Sequence, residues 1–428
     1  MAGIHLLTLN VFYYYLKEGL GITAAEIEPF DTYWKEQRSK YKANTDTIHL
    51  PKTEFEGKLF HDRNNLGDSN YFFLDCSIRN PDTSSPPKTI IKLKEKVKLP
   101  ERNKACLGYT SMIYGWVEGD DDALPEELYQ ELVDDSWQFQ RHGKILGSRI
   151  IEAWRSRQEW DVPDFGSHVL IILYPNKDTY ERSSKLIFGG WVSLLLYRHK
   201  IWYSYQESRG NKDKIRKTFN KAVKDLQSYN TYNLQQLGTA LESNLYSLTD
   251  YSTDLNTISS HQHTLDTNLY NYNLVVKQFT DKVNDDCKIN RWANDLKFLE
   301  EFSKIGEIKY ERQLEKDYAI LAPGLAVLTG LTETIRGLVE VQQAEIDRQQ
   351  NKIIAIVGLG LAASSAAAGI AATQVYQPSQ PTSLPAGWLG GDNRIHWGQG
   401  LVLSLIPTAL AIFVLAVLWC QNHHKSSK

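Results

Sequence analysis

The sequence predicts an α+β domain in the cytosol, then long antiparallel helices, then a stalk helix that continues into a C-terminal hairpin of two transmembrane helices. Three observations predict this order: two long uncharged segments near the C-terminus, strand-like segments within residues 1–210, and helical periodicity from residue 211 onward. The uncharged segments, 353–372 and 401–420, each contain twenty residues. A helix needs about 20 apolar residues to cross a hydrocarbon core of ~30 Å.

One other apolar stretch, residues 186–205, has the length of a membrane span. Arg198, His199 and Lys200 interrupt it near its middle. Three such side chains near the centre of a membrane helix cost several kcal/mol on insertion scales. We therefore expect this stretch to be buried core of a soluble domain, and we expect no third span.

Composition excludes several classes of protein. The net charge of −3 and the calculated pI near 6.4 give no indication of a nucleic-acid partner. The four cysteines are far apart, which suits a reducing compartment and predicts no zinc site. The sequence contains no nucleophile elbow, P-loop or HExxH motif, so we expect no enzyme and no firmly bound cofactor, with Mg²⁺ the one ion considered below.

Charged residues around the two uncharged segments predict the topology. The tail at 421–428 is basic, and Arg348 and Lys352 precede the first segment, whereas Arg394 is the single arginine or lysine in the loop. The positive-inside rule then predicts a multi-pass protein of the inner (plasma) membrane, with both termini cytoplasmic. The predicted divisions are an N-terminal domain at 1–210, a long-helix and stalk region at 211–352, transmembrane helices at 353–374 and 400–420, an external loop at 375–399, and the tail.

Local patterns place the elements of the soluble part. Alternating or β-branched residues predict strands over 71–78, 89–99, 108–117 and 168–174. Proline and acidic residues at 125–127 predict the start of a helix, and the apolar spacing within 145–157 predicts a second one. From 211 to 351 the spacing predicts long helices, with a bend or break at Pro323. We expect His261 and His263 to be exposed.

The last helix before the first span carries an apolar seam. Its 4-3 spacing is that of a self-associating coiled coil, and Gln342 and Gln349 either fix its register or line a wet channel. The seam positions are Leu321, Leu325, Leu328, Thr332, Ile335, Val339, Gln342, Ile346, Gln349 and Ile353.

Acidic residues recur every seven positions on the same helix, at Glu333, Glu340 and Asp347. In an oligomer they would form rings that concentrate cations in a funnel. The alternative is a solvated stripe that pairs with Arg336 and Arg348. A second acidic group, Asp120, Asp121 and Asp122, offers oxygen ligands for Mg²⁺, or else forms the loop before the helix at Pro125.

The first predicted span is rich in small residues, and the second is bulky. Gly358, Ala362 and Ala366 lie four apart, a spacing that lets helices approach closely in lipid. We therefore expect the first span to lie inside an oligomer. The polar groups available to line a path are Ser364, Ser365, Thr373 and Gln374, although both serines can instead bond to their own helix.

The order of these parts resembles the CorA family of magnesium and cobalt transporters. The resemblance implies a homopentamer, a pore lined by the first span, a cytosolic funnel of stalk helices, and divalent cations bound between cytosolic domains. The family's Gly-Met-Asn motif is absent, since the corresponding stretch at 371–376 reads AATQVY. The end of the loop, with Asp392 and Trp397, resembles the acidic and aromatic end of the family loop.

Three functions fit the sequence. The first is a CorA-like oligomeric ion channel or transporter, for cations, with a regulatory cytosolic domain. The second is a membrane-anchored effector of the defence type, whose soluble domain senses a ligand. The third is a structural protein that tethers the N-terminal domain to the membrane. The partners expected are further copies of the chain, membrane lipid and divalent cations.

Overall fold

A computed structural model describes residues 3–80, 84–96, 98–119, 121–183, 188–225, 229, 231–290 and 292–347. These residues belong to two compact units. The first consists of Met1–Asn211 and Thr257–Tyr318, and the second of Lys212–Asn256 and the chain from Ala319. The first unit therefore draws on two separated stretches, whereas each predicted domain is one stretch.

Strands dominate the first 174 residues, and helices follow. The strands are β1 Ile4–Leu16, β2 Thr47–His49, β3 Phe55–Leu66, β4 Ser69–Ile78, β5 Ser84–Ser85, β6 Cys106–Val117, β7 Phe139–Ile145, β8 Ser148–Trp154 and β9 Val169–Tyr174. The helices are α1 Ala24–Tyr41, α2 Thr89–Lys94, α3 Leu124–Val133, α4 Lys177–Ser183, α5 Phe188–Asp225, α6 Leu234–Asn290, α7 Lys297–Ile305 and α8 Arg312–Asp347, with a π-helical segment, Gly306–Glu311, between the last two.

The described strands form one mixed sheet in the first unit. Its order is β2-β3-β4-β1-β6-β9-β8-β7, with β5 paired to β1. Neighbouring strands are antiparallel except β6 and β9, which run parallel with Ser111 opposite Val169. The segments that lead into β6 and β9 therefore meet at the same edge of the sheet.

Both faces of the sheet are covered, as three consecutive tyrosines in β1 illustrate. Successive side chains of a strand point to opposite faces. Tyr14 accordingly packs in the core that contains parts of α5, α6 and α7, whereas Tyr13 and Tyr15 pack in the core that contains α1, α2 and α3. All three tyrosines are fully buried, which explains why this central strand reads as a continuous apolar run.

Several predicted elements are confirmed. The strand predictions at 71–78, 108–117 and 168–174 correspond to β4, β6 and β9, and the helix at Pro125 is α3. The stretch at 186–205 is helical from Phe188, within α5, and contributes Trp191 and Leu194 to the core, as expected for a soluble domain. The long helices predicted from residue 211 onward include α6.

Two predicted elements are wrong. Residues 89–94 form α2 rather than a strand, because burial of Ile90 and Leu93, three residues apart, also satisfies a helix. The predicted helix at 145–157 is instead β8, which pairs with β7 through a turn at Leu146 and Gly147, both with positive φ. A strand buried on both faces shows adjacent apolar residues, such as Ile150 and Ile151, and that pattern does not distinguish it from a helix.

In the second unit, α6 and α8 run antiparallel. Residues nearer the C-terminus of α8 contact residues nearer the N-terminus of α6, or just before that helix. The contacts are the Tyr251 hydroxyl donating to the Leu321 carbonyl, Asn244 Nδ2 donating to Thr332 Oγ1 at 2.7 Å, and Gln342 Nε2 donating to the Tyr232 carbonyl at 2.8 Å. Helix α8 continues through Pro323 without a break.

The middle of the predicted coiled-coil seam packs inside the chain. Leu328 and Ile335 are fully buried and Thr332 is nearly so, and Asn244 of α6 bonds to Thr332. These three positions are accounted for by packing within one chain, whereas Leu325 and Val339 are half-buried and the side chains of Ile346, Gln349 and Ile353 lie outside the described part. Oligomerisation itself stays a prediction.

Within the described part of the chain, one helical run, Lys297–Ala344, is long and apolar enough to cross a membrane by length and composition. The most apolar part of this run is 28% buried, and core helices of soluble proteins have similar length and composition. The sequence predicted no third span, so the run Lys297–Ala344 is a candidate in addition to the two predicted spans. The two predicted spans and the loop between them lie outside the described residues.

Candidate ligand-binding site

A cleft of about 340 Å³ opens in the first unit, at the edge where β6 and β9 begin. Three segments line it: the residues that lead into β6, the loop that leads into β9, and one face of α5. Its volume is at the lower end of the range typical of small-molecule sites. The sheet order creates this cleft, since the parallel pairing of β6 and β9 brings two distant loops together beside one helix.

Two histidines from different elements form the floor of the cleft. His168 immediately precedes β9, and His199 lies on α5 one turn before Trp202. Both histidines line the cleft and are almost wholly buried. Burial lowers the pKa of His168 and lowers that of His199 much further, so both rings are neutral at pH 7.

A chain of hydrogen bonds connects these histidines to a buried carboxylate. Glu152 Oε1 lies 2.9 Å from His168 Nε2, and Thr110 Oγ1 lies 2.8 Å from both His168 Nδ1 and His199 Nε2. Burial raises the pKa of Glu152, but Arg198, His168 and Arg141 together outweigh it and hold the pKa at about 2. Glu152 is therefore a carboxylate that accepts hydrogen bonds and donates none.

Glu152, at one end of this chain of hydrogen bonds, also forms a buried ion pair. Arg198 Nη1 binds Glu152 Oε1, and Arg198 Nη2 donates to the Tyr272 hydroxyl at 3.3 Å. The guanidinium also lies 4.1 Å from the centre of the Phe302 ring. Aromatic rings and a carboxylate thus replace the water that the arginine loses on burial.

Gly108 packs directly against the ring of His199. A Cβ atom at Gly108 would lie 2.7 Å from His199 Nδ1, which is too close for any real side chain. The φ of Gly108 is +132°, a conformation that glycine adopts readily and other residues rarely. A glycine is therefore required for this close approach to the ring, and both Gly108 and His199 line the cleft.

The rim combines aromatic and cationic side chains. The Arg102 guanidinium lies 4.9 Å from the centre of the Phe165 ring, and Tyr109 meets Phe165 edge-on at 5.1 Å. Lys104 Nζ lies 3.8 Å from a carboxylate oxygen of Glu26. Among the residues that the structure describes, no carboxylate lies within 4.0 Å of the Arg102 nitrogen atoms, although Asp164 and Glu207 also line the cleft.

The Thr110 hydroxyl and the Cys106 thiol lie near the floor of the cleft, but neither is placed to attack a substrate. Thr110 has no exposed surface, and its hydroxyl is engaged by the two histidines. Burial raises the pKa of the Cys106 thiol to about 11, so the reactive thiolate is scarce at neutral pH. Neither Thr110 nor Cys106 is therefore a ready nucleophile at neutral pH.

Comparison of the chain with protein-family models, with curated proteins and with solved structures finds no match. The CorA resemblance therefore stays a prediction, and the site rests on its own geometry.

The side chains of two of the three predicted acidic residues on α8 are described. Glu333 and Glu340 are both exposed, and Glu340 Oε1 accepts from Arg336 Nε at 3.1 Å, as the solvated-stripe alternative predicts. Asp347 is the last residue of α8, and its side chain lies outside the described part. Gln342 gives one amide hydrogen to the Tyr232 carbonyl, and its role in lining a pore stays a prediction.

Two members of the predicted aspartate cluster, Asp121 and Asp122, lie in the loop between β6 and α3. Asp122 Oδ1 lies 2.8 Å from Arg149 Nη1, and Asp121 Oδ1 accepts the Ala123 N–H at 3.0 Å. Over the residues described, no group of three His, Cys, Asp or Glu side chains is arranged to hold a metal ion. Asp120 lies outside those residues, so Mg²⁺ binding here stays a prediction.

The remaining predicted site residues also lie outside the described part. They are Gln349, Gly358, Ala362, Ser364, Ser365, Ala366, Thr373, Gln374, Asp392 and Trp397.

Sequence reasoning missed the cleft, although one signal for it was present. Arg198, His199 and Lys200 interrupt an apolar run, and we used them only to exclude a membrane span. All three are buried: Arg198 binds Glu152, His199 binds Thr110, and Lys200 binds Asp68. Buried polar groups need partners, so consecutive ionisable residues within a core helix indicate a polar site.

Proposed function

We propose that this chain is a membrane-attached sensor whose N-terminal unit binds a small ligand in the cleft. The observation that carries the proposal is the buried chain of hydrogen bonds that ends at His199, a neutral ring that lines the cleft beside Gly108. A buried chain of four polar side chains that ends at an open cavity is costly to assemble unless it serves a ligand. This is the ligand-sensing alternative of the sequence hypotheses.

The membrane part of the proposal rests on the sequence. The uncharged segments at 353–372 and 401–420 would form a hairpin in the inner membrane, with both termini in the cytoplasm. Helix α8 ends at Asp347, close to the first of these segments along the chain. Helix α5 carries His199 and Trp202, so ligand binding would act directly on this helix.

A thermal-shift screen of the full chain in detergent tests the proposal without assuming what the ligand is. We expect at least one compound of a broad metabolite library to raise the melting temperature. Replacing Phe165 by alanine removes a rim ring that is 42% exposed, and we expect about tenfold weaker binding of that compound. The control, Tyr270→Ala, removes a ring of the same unit that is 70% exposed and does not line the cleft.

Two results would contradict the proposal. One is a library without any stabilising compound. The other is stabilisation that Phe165→Ala and Tyr270→Ala reduce equally, because binding would then lie elsewhere.

Cation conduction is the second candidate, and the exposed stripe on α8 favours it. Glu333 and Glu340 are both exposed and seven residues apart, as a ring-forming stripe requires. If the chain forms a CorA-like oligomer, repeated carboxylates would raise the local cation concentration.

We expect the variant Glu333→Gln/Glu340→Gln/Asp347→Asn to conduct cations less well than the parent in reconstituted vesicles at low salt. The deficit should disappear at 1 M salt, where the Debye length falls to about 3 Å. Equal conductance at all salt concentrations would identify the stripe as a solvated face.

A further inference from the structure

The two ends of the cleft offer opposite hydrogen-bonding chemistry. We infer that its ligand is a small planar molecule with an N–H or O–H donor at one end and an anionic group, carboxylate or phosphate, at the other. The donor would meet His199 Nδ1, and the anionic group would meet Arg102. This inference rests on the proposed function and names the chemical class of its ligand.

The polarity of the inner end follows from the proton on His168. Glu152 Oε1 lies 2.9 Å from His168 Nε2, and two lone pairs at that distance would repel each other. Because Glu152 is ionised, the proton lies on Nε2, even though Arg198 Nη1 also lies 3.4 Å from the same atom. His168 Nδ1 therefore accepts, and the Thr110 hydroxyl must donate to it.

The same logic fixes the tautomer of His199. The single hydroxyl proton of Thr110 is given to His168, so Thr110 Oγ1 accepts the proton of His199 Nε2 at 2.8 Å. A neutral imidazole carries one proton, so Nδ1 of His199 presents a lone pair. Thr110 is thus a positioning residue: it touches no ligand but makes His199 an acceptor.

At the outer end, Arg102 provides a cationic group in a rim that Asp164 and Glu207 also line. Arg102 stacks one face on Phe165, and the edge of its guanidinium carries N–H groups without a carboxylate partner in the described part of the chain. A guanidinium edge matches the geometry of carboxylate and phosphate oxygens. Lys104, by contrast, lies near Glu26 and is partly neutralised.

The walls between the two ends are aromatic. Trp202 lies beside the two histidines on the floor, and Tyr109 and Phe165 stand at the rim. Aromatic rings favour stacking or edge contacts with a flat partner. A cleft of about 340 Å³ limits that partner to the size of one or two rings.

Four benzene derivatives probe the two ends separately. They are 4-hydroxybenzoate and 4-hydroxyphenyl phosphate, which carry a donor and an anion, 4-fluorobenzoate, which lacks the donor, and 4-hydroxybenzamide, which lacks the anion. By calorimetry on the full chain in detergent, we expect one of the first two to bind at least tenfold more tightly than the last two. The tighter of the two acidic probes identifies the anionic group.

Two variants test which residues recognise the two ends of the ligand. Arg102→Gln should weaken the acidic probes about tenfold and leave 4-hydroxybenzamide unchanged, whereas the exposed control Arg157→Gln should change neither. Thr110→Val keeps the shape but removes the hydroxyl, so the preference for 4-hydroxybenzoate over 4-fluorobenzoate should fall below threefold. The effect of the anionic group should persist in Thr110→Val, which a merely misfolded variant would not show.

A measurement on the parent chain tests the tautomer of His199 even if Thr110→Val does not fold. The ¹⁵N shifts of His199, assigned by comparison with His199→Gln, should show a protonated Nε2 and an unprotonated Nδ1. The opposite tautomer, no preference for either donor-bearing acidic probe over 4-fluorobenzoate, or no binding of either donor-bearing acidic probe at millimolar concentration would each overturn the inference. The metabolite screen assumes no ligand chemistry, so it would still decide the proposed function.

Discussion

Replacing Arg198 by methionine is expected to destabilise the first unit by about 3–5 kcal/mol. The substitution keeps most of the side-chain volume but removes the charge that binds Glu152 Oε1 in the interior. Arg141 Nη1 remains 3.5 Å from Glu152 Oε2, but it also faces Glu301 and compensates only part of the buried charge. The Glu152 carboxylate would then lie in the core without its main partner.

A double-mutant cycle separates this effect from a simple packing defect. Glu152→Gln removes the charge of the partner, so the double variant should recover about 2 kcal/mol relative to Arg198→Met alone. Hydrogen exchange of β8 and β9 peptides, measured in the full chain, reports the stability of the first unit specifically. Arg157→Met, an exposed site, is the control. Additive losses in the double variant would show that the Arg198–Glu152 pair contributes no coupling.

Much of the fold could be predicted from local patterns, and most of the site could not. Strands β4, β6 and β9 were recognisable because each has strongly β-forming residues within one segment. The site depends on Glu152, His168, Thr110 and His199, whose hydrogen bonds join residues 16 to 89 positions apart. Only the sheet order brings them together. The predicted helix at 145–157 also placed Glu152 on the wrong kind of element.

The seam on α8 illustrates a second limit. A 4-3 apolar spacing shows that one face of a helix is buried, but it does not name the partner helix. Here α6 of the same chain supplies the contacts, through Asn244 and Tyr251. Because α6 is unusually rich in polar residues, its sequence did not identify it as that partner.

His261 predicts how the first unit responds to acid. We expected this histidine to be exposed, but it is only 2% exposed, and its ring packs 6.1 Å from the ring of Tyr203. Burial, assisted by the positive charge of Lys104, lowers the pKa of His261 to about 4. The unfolded chain has the ordinary histidine pKa of about 6.5. Between these two values the unfolded chain binds the extra proton, so stability falls as the pH falls.

The variant His261→Phe is therefore expected to lose less stability in acid than the parent. One pKa unit corresponds to about 1.4 kcal/mol, so the parent should lose about 2 kcal/mol more than the variant between pH 7.5 and pH 5. His168 and His199 add to the loss in both proteins, because burial lowers the pKa of each. Denaturant unfolding of the full chain at the two pH values measures the difference. His263→Phe, two residues away on the same helix and exposed, should respond like the parent. If both variants lose the same stability as the parent, His261 is already protonated or accessible in the folded chain, and its burial does not contribute to acid sensitivity.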